Sequence, residues 1–357
     1  MRVASFNLYN YAAPGTFCYG LDRSYADTEW AAKEAWIEAR LIEIRADTVG
    51  FQEVFSVDAL RALCARVGLT SFRTVEAPTM QPGDAQVFSR PVNAIASCLP
   101  IIDCAAVPFD DSVRACLTLP TEVGFTRAPI RATIDTPAFG PMPVYVLHLK
   151  SNRPMGDPVA YTDSTSWRER VLDTQRRCSR GMVAANLRRG GEAAAMYTAL
   201  TNDLRYDLRR PIVVLGDLNN DDSSLPLSAI LMERPPAEIG GVSAEDWPAG
   251  VSLLLQAFRF CDAARLPSSV KGMARRPTHY HDHVGSVLDY VLVSSALVES
   301  NPDHVGRVSS YEVIDGHIAD GTKDKTMSDH AIVVAELTPR WTRAQGRQAQ
   351  QLGQVED

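Results

Sequence analysis

An α/β sandwich is the fold class this sequence predicts, and three observations predict it. Short β-branched apolar runs are interspersed with stretches of helical periodicity. Several of those runs come in adjacent pairs, which argues for mixed sheets rather than a strictly alternating βαβ doubly wound sheet. The main runs also border on polar and charged residues, and burying such groups without partners is costly. If those ends gather along one edge, their side chains converge on a single crevice.

The elements follow in order. Arg2–Phe6 leads into Asn7 and reads as the first strand. Residues 9–25, rich in Tyr, Gly and Pro, read as a loop. Asp27 can cap a helix ending near Arg45, with Trp30, Ile37, Leu41 and Ile44 as its buried stripe. The run from Thr48 to Phe51 delivers Gln52 and Glu53. Ser56 then caps a shorter helix that buries Leu60, Leu63, Cys64 and Val67 and stops at Gly68. Residues 86–90 and 92–99 predict paired strands around a turn at Pro91, and residues 128–136 and 142–149 predict a second pair. A long helix is expected over 164–189, with Trp167, Val171, Cys178 and Met182 on one face. Gly190-Gly191 should break it, and a second helix should run to about Leu208. Strands at 211–215, 287–293 and 331–334 complete the pattern. The segment from 225 to 266 carries no assignable pattern.

The stretch Gly216-Asp217-Leu218-Asn219-Asn220 holds the most chemical information. It leaves the apolar run Pro211–Leu215 with a carboxylate and an amide two residues apart, on the same side. Such a pair can orient a water, hold a hard cation or bind a phosphate oxygen; by itself it is also an ordinary turn. Similar clusters lie at Gln52-Glu53, at His148, and at Ser328-Asp329-His330, while Asp289 stands early in the run Val287–Val293.

At 357 residues the chain is long enough for one large domain or two small ones. Its net charge of −7 argues against tight non-specific nucleic-acid binding, which rests on Lys and Arg, although local patches matter more than the total. The seven cysteines are scattered, odd in number and without a Cys-x-x-Cys pair, as in a reducing compartment. With no signal-peptide pattern before the first strand and no apolar run long enough to span a bilayer, a cytoplasmic location is expected. No protein partner is identifiable.

Taken in order, Asn7, Gln52-Glu53, His148, Gly216-Asp217-Leu218-Asn219, Leu288-Asp289-Tyr290 and Ser328-Asp329-His330 resemble the motifs of the endonuclease/exonuclease/phosphatase superfamily. That superfamily includes deoxyribonuclease I-like nucleases, exonuclease III-like repair enzymes, sphingomyelinases and inositol polyphosphate 5-phosphatases. The resemblance implies a four-layer sandwich, two mixed sheets packed face to face with helices outside. It also implies one catalytic domain over residues 1–340; the Gln-rich remainder at 341–357 lacks apolar periodicity and reads as a disordered tail. The departures from the pattern lie between the motifs, chiefly at 152–210 and 225–266.

Phosphoester hydrolysis needs a cation for the phosphate charge, an oriented water relieved of a proton, and donors for the developing oxyanions. Glu53 is the leading metal ligand, with Asn7 and Asp329 beside it, and hard oxygen ligands point to Mg²⁺ or Mn²⁺. The resemblance implies an Asp289–His330 pair at the attacked phosphorus. His330 either activates the water or stabilises the transition state as a cation; Asp217 is the other candidate for positioning and deprotonating the water, and Asn219 and His148 would then donate to phosphate oxygens. Lys150 and Arg153 are placed to meet a substrate phosphate. The arginines at 168, 170, 176, 177, 180, 188 and 189 read first as a solvated helix face. The run His279-Tyr280-His281-Asp282-His283 could place three imidazoles on one side of an extended segment and bind zinc; a polar loop beside the site is the preferred reading. The expectation is therefore a metal-dependent phosphoesterase, most readily a nuclease acting on DNA or RNA. The alternatives are a phosphatase or phosphodiesterase for small or lipid-derived phosphates, and, ranked lower, a non-catalytic binding member.

Overall fold

The computed structural model describes residues 1–19, 24–156, 159–267, 274–318 and 324–340; the tail expected at 341–357 lies outside them. In chain order the main strands are β1 (Arg2–Tyr11), β2 (Thr48–Val54), β3 (Ser71–Arg73), β4 (Val92–Ser97), β5 (Ile101–Ala106), β6 (Ile130–Thr136), β7 (Gly140–His148), β8 (Val213–Asp217), β9 (Phe260–Asp262), β10 (Asp289–Ser294), β11 (Gly306–Ile314) and β12 (Ile332–Pro339). The helices that concern the site are α1 (Asp27–Ile44), α2 (Val57–Arg66), α3 (Asp111–Cys116), α4 (Trp167–Leu204) and α5 (Leu225–Leu231).

Two six-stranded sheets form, in the orders β11-β12-β1-β2-β4-β3 and β9-β10-β8-β7-β6-β5. Each has one parallel pair, β1/β2 and β7/β8, within otherwise antiparallel neighbours. Parallel neighbours need a crossover long enough to return the chain. Here α1 lies between β1 and β2, and α4 between β7 and β8.

Side-chain alternation then sorts the layers. Val3, Ile95, Val144, Val146, Val213, Leu215, Val291 and Val333 pack between the sheets. The sheets come so close at Gly50 that a Cβ there would sit 2.9 Å from Val146 Cγ2 and 3.0 Å from Leu215 Cβ. On the outer face of the first sheet, Phe6, Phe51 and Val334 meet Ile37, Leu41 and Ile44 of α1 and Leu60 and Leu63 of α2. On the outer face of the second, Tyr145, Leu147 and Leu292 meet Met196, Leu200 and Leu204 of α4 and Leu227 and Ile230 of α5. Each of these aliphatic and aromatic side chains contributes roughly 1.5–3 kcal/mol on burial. The result is the expected four-layer order of helix, sheet, sheet, helix.

Four local expectations are corrected. The runs on either side of Pro91 do not pair with each other. Asp84–Arg90 joins a small separate sheet with Phe17–Cys18 and Thr79–Gln81, while β4 enters the first large sheet between β2 and β3. Gly190-Gly191 does not break the long helix, which runs unbroken from Trp167 to Leu204. Glycine costs about 1 kcal/mol against alanine in a helix interior, a preference that tertiary packing overrides. At Gly191 the missing side chain is used, because a Cβ would lie 3.1 Å from Leu117 Cδ1. Trp167, Val171 and Met182, the apolar face read from the sequence, are exposed to solvent rather than buried. At α1 the cap position is Ala26, whose N–H donates to Glu29 Oε2, and Asp27 is the first helical residue.

Candidate active site at the shared strand edge

The parallel pairs end on the same side, and the antiparallel β10 and β12 begin there. Asn7 therefore faces the cleft from β1, Gln52 and Glu53 from β2, His148 from β7 and Asp217 from β8, with Asp289 opening β10 and His330 just preceding β12. In register, His148 lies opposite Asp217 and Asp217 opposite Asp289. Beyond Asn7 the β1/β2 ladder is irregular, and Tyr9 and Asn10 are both left-handed with φ of 52° and 55°. Bulges of this kind re-aim side chains near sites. Here the Asn10 N–H donates to Glu53 Oε2 at 2.8 Å, and Glu53 itself is left-handed, with φ 61°.

Asp217 is the centre of the cluster. Its Oδ2 accepts from Asn7 Nδ2 at 3.0 Å and lies 3.3 Å from His148 Nε2 and 3.9 Å from His330 Nε2. Its Oδ1 accepts from the Asn219 N–H at 2.8 Å. The Asn219 side chain donates to Leu149 O at 3.1 Å, from a left-handed backbone with φ 50°. His330 Nδ1 pairs with Asp289 Oδ2 at 2.8 Å. Ser328 Oγ donates to Asn7 O and accepts from the His330 N–H, tying the last motif to the first strand. Thr278 Oγ1 accepts from the N–H groups of Leu288 and Asp289 and so holds the start of β10.

The charges divide sharply. Burial pushes the His330 imidazolium down, but the carboxylates of Asp289 and Asp217 outweigh it and hold the ring well above its ordinary range. His148 is driven well below its ordinary value by burial, and then by the positive charges of Arg127, His330 and Lys150. Burial raises Asp217 to about 7, with Asp289 adding to the rise and His330 opposing it.

The other expected residues are placed less centrally. Asp329 lies at the rim, its Oδ2 3.7 Å from His279 Nε2 and its Oδ1 4.0 Å from His330 Nε2. Lys150 turns its ammonium back onto Ser151 O and Arg153 O, and Arg153 is exposed. The histidine run forms a hairpin of His279–His281 and Val284–Ser286. Asp282 and His283 are left-handed at its turn, so the three imidazoles do not share one extended side. His279 alone reaches the site, its ring 4.8 Å from that of His330.

Lys33 is absent from the sequence reading. It is fully buried in α1, and its Nζ donates to Tyr9 O, Lys325 O and Met327 O. Burial pushes its ammonium down to about 7, against the carboxylates of Asp329, Glu53 and Asp324. The signal was present: Lys33 falls three residues after Trp30 and four before Ile37, on the buried stripe. Arg127, also buried, donates to the carbonyls of His148 and Leu149 and fixes the strand end from behind.

Residues 4–330 match the model of the endonuclease/exonuclease/phosphatase family. The chain belongs to this family. Solved structures agree on the fold. The catalytic domain of human Nocturnin, determined with bound sulfate, is 14% identical, with a TM-score of 0.56 over 95% of this chain and 94% of that one. A family protein from Bacteroides thetaiotaomicron is 16% identical, with a TM-score of 0.54 over 94% of each chain. The mannosyl-6-phosphatase Bt3783 of the same organism is 16% identical, with a TM-score of 0.52 over 95% and 99%. No curated protein matches the chain by sequence.

Members of the endonuclease/exonuclease/phosphatase family are divalent-metal-dependent phosphoester hydrolases, and the donor sets here accommodate that chemistry. Asp217, Asp289 and His330 bring ligand atoms within 4.8 Å of one another. An ion among them would compete with the His330–Asp289 hydrogen bond. Glu53 and Asp329 carry oxygen donors alone, the kind a hard cation takes, and Asn7 Oδ1 accepts from the Tyr9 N–H at 3.0 Å. Among the described residues, no helix is long and apolar enough to cross a membrane.

Proposed function

We propose that this chain hydrolyses phosphodiester bonds of DNA or RNA, with Mg²⁺ or Mn²⁺ as its cation. One observation carries the reading: an imidazolium, His330, is held by Asp289 beside a carboxylate, Asp217, whose proton affinity burial has raised to about 7. A base and an acid matched to neutral pH suit attack by water on a phosphorus centre. In this reading Asp217 orients the water and takes its proton. His330 donates to a phosphoryl oxygen as negative charge builds there, and Asp289 keeps its ring oriented and charged. His148 stays neutral and, with its proton on Nε2, donates towards Asp217 or a phosphate oxygen. Asn219 supplies a further amide donor. Glu53, Asp329 and Asn7 would hold the cation, which when bound supplies neutralising charge for the phosphate and the leaving oxygen. Lys150 and Arg153 are assigned to a neighbouring phosphate, which requires Lys150 to leave its own loop. The seven free cysteines support a cytoplasmic location.

Cleavage of small phosphate esters is the second reading. It is favoured by the net charge of −7 and by the fold shared with a mannosyl-6-phosphatase. Supercoiled plasmid incubated with Mg²⁺ separates the two, in parallel with EDTA and with the Asp217→Ala protein. Nicking by the metal-supplied wild type alone is the expected result. Intact plasmid together with turnover of small phosphomonoesters would replace the nuclease reading with the phosphatase one.

A further inference from the structure

The two halves of α4 differ in environment. Tyr145 Oη donates to Asp203, the Lys150 N–H donates to Glu192, and Arg189 donates to Lys150 O. The helix thus runs antiparallel to β7 and reaches the catalytic edge near Arg189. The residues before Arg189 continue past that edge for about 33 Å, at 1.5 Å per residue. This projecting half touches loop residues 154–156 and 159–161, where Met155 N–H donates to Gly181 O and Tyr161 Oη donates to Asp173. A groove of roughly 660 Å³ lies between the loop and the helix.

The face turned away from that loop is apolar and basic together. Trp167 is 77% exposed, and Val171, Leu172, Met182, Val183 and Leu187 are all exposed as well. Arg168 and Arg176 are interleaved with them, while Arg180 lines the groove. Residues 167–189 hold seven arginines against only Glu169 and Asp173, in a chain whose net charge is −7. Six exposed apolar side chains gathered on one helix half mark an interaction site.

We propose that the projecting half of α4 docks on the surface of a bilayer containing anionic lipids and brings the catalytic edge to face it. Charge decides among occupants. A second copy would set one arginine-rich helix against another, which repels. Nucleic acid would satisfy the arginines and leave the aliphatic side chains in water. A headgroup layer satisfies both, because apolar side chains enter the acyl boundary while arginines extend to the phosphates. The inference does not depend on which phosphoester the site cleaves.

Vesicle co-sedimentation tests it, comparing phosphatidylcholine alone with a mixture containing about 30% phosphatidylserine. Binding is expected only with phosphatidylserine and should weaken as salt rises. Arg168→Gln/Arg176→Gln should lose about thirtyfold in partitioning. Trp167→Ser/Met182→Ser should lose at least about tenfold. Both variants change exposed side chains, so circular dichroism and hydrolysis of a small phosphoester should match wild type. Equal binding to both vesicle types, or none, would overturn the proposal. So would a dimer in sedimentation velocity that the apolar variant dissolves, or oligonucleotide binding lost in the arginine variant without vesicle binding.

Discussion

His148 and His330 make an instructive pair. Both are buried at the same strand edge, and both have Nε2 within 4 Å of Asp217 Oδ2. Yet burial and nearby cations hold His148 neutral, while His330 is held charged. The difference is one carboxylate: Asp289 pairs with Nδ1 of His330, whereas Nδ1 of His148 is buried without a partner and Arg127 stands nearby. The two imidazoles are thus left one neutral and one positive by what lies behind the ring.

The largest effect should come from the charged member. His330→Ala should lower turnover roughly 10³–10⁴-fold, in the upper part of the range for acid–base groups. His148→Gln should cost less, about 10²-fold, because the group it replaces is a neutral donor. Steady-state kinetics on one phosphodiester substrate would rank the two, and equal losses would erase the distinction.

Lys33→Met probes the support behind Glu53 and Asp329. It strips a donor from Tyr9 O, next to the Asn10 N–H that holds Glu53, and from Lys325 O and Met327 O in the segment leading to Asp329. A loss of about 1–3 kcal/mol in urea unfolding is expected. A higher Mg²⁺ requirement should accompany it, and a variant matching wild type in both would show those loops to be held otherwise.

Metal-free protein should show the two histidines as opposite slopes of stability against pH. The unfolded chain protonates either ring near 6.5. His148 has a depressed folded value, so its contribution is full above that pH and is lost as pH falls. His330 has a raised folded value, so its contribution is full below that pH and is lost as pH rises through it. Each slope is limited to about 1.4 kcal/mol per pH unit. Urea midpoints of His148→Gln and His330→Gln across pH 5–8 should therefore tilt away from wild type in opposite directions.

Much of the edge was legible because strand ends advertise themselves. An apolar run that stops at Asp217 or His148 leaves little freedom about where the polar group lies, and the β6/β7 hairpin follows from two adjacent runs. Long-range placement was less legible. Nothing local around Pro91 tells that the strand after it inserts between β2 and β3, because that depends on pairing with residues 48–54 and 71–73. In α4 the apolar spacing of Trp167, Val171 and Met182 was visible, but spacing reports a face and not what covers it. Lys33 was hidden by its charge: a lysine on an apolar stripe reads as an interruption until three carbonyls converge on it.

A double-mutant cycle on His330 and Asp289 tests the central claim most directly. Turnover of a phosphodiester by wild type, His330→Ala, Asp289→Ala and the double variant would be compared at saturating Mg²⁺. If Asp289 acts by holding the His330 imidazolium, each single change is severe and the double loses little more than either. Losses that multiply in full would contradict the pairing, and with it the mechanism built on a charged His330 beside Asp217.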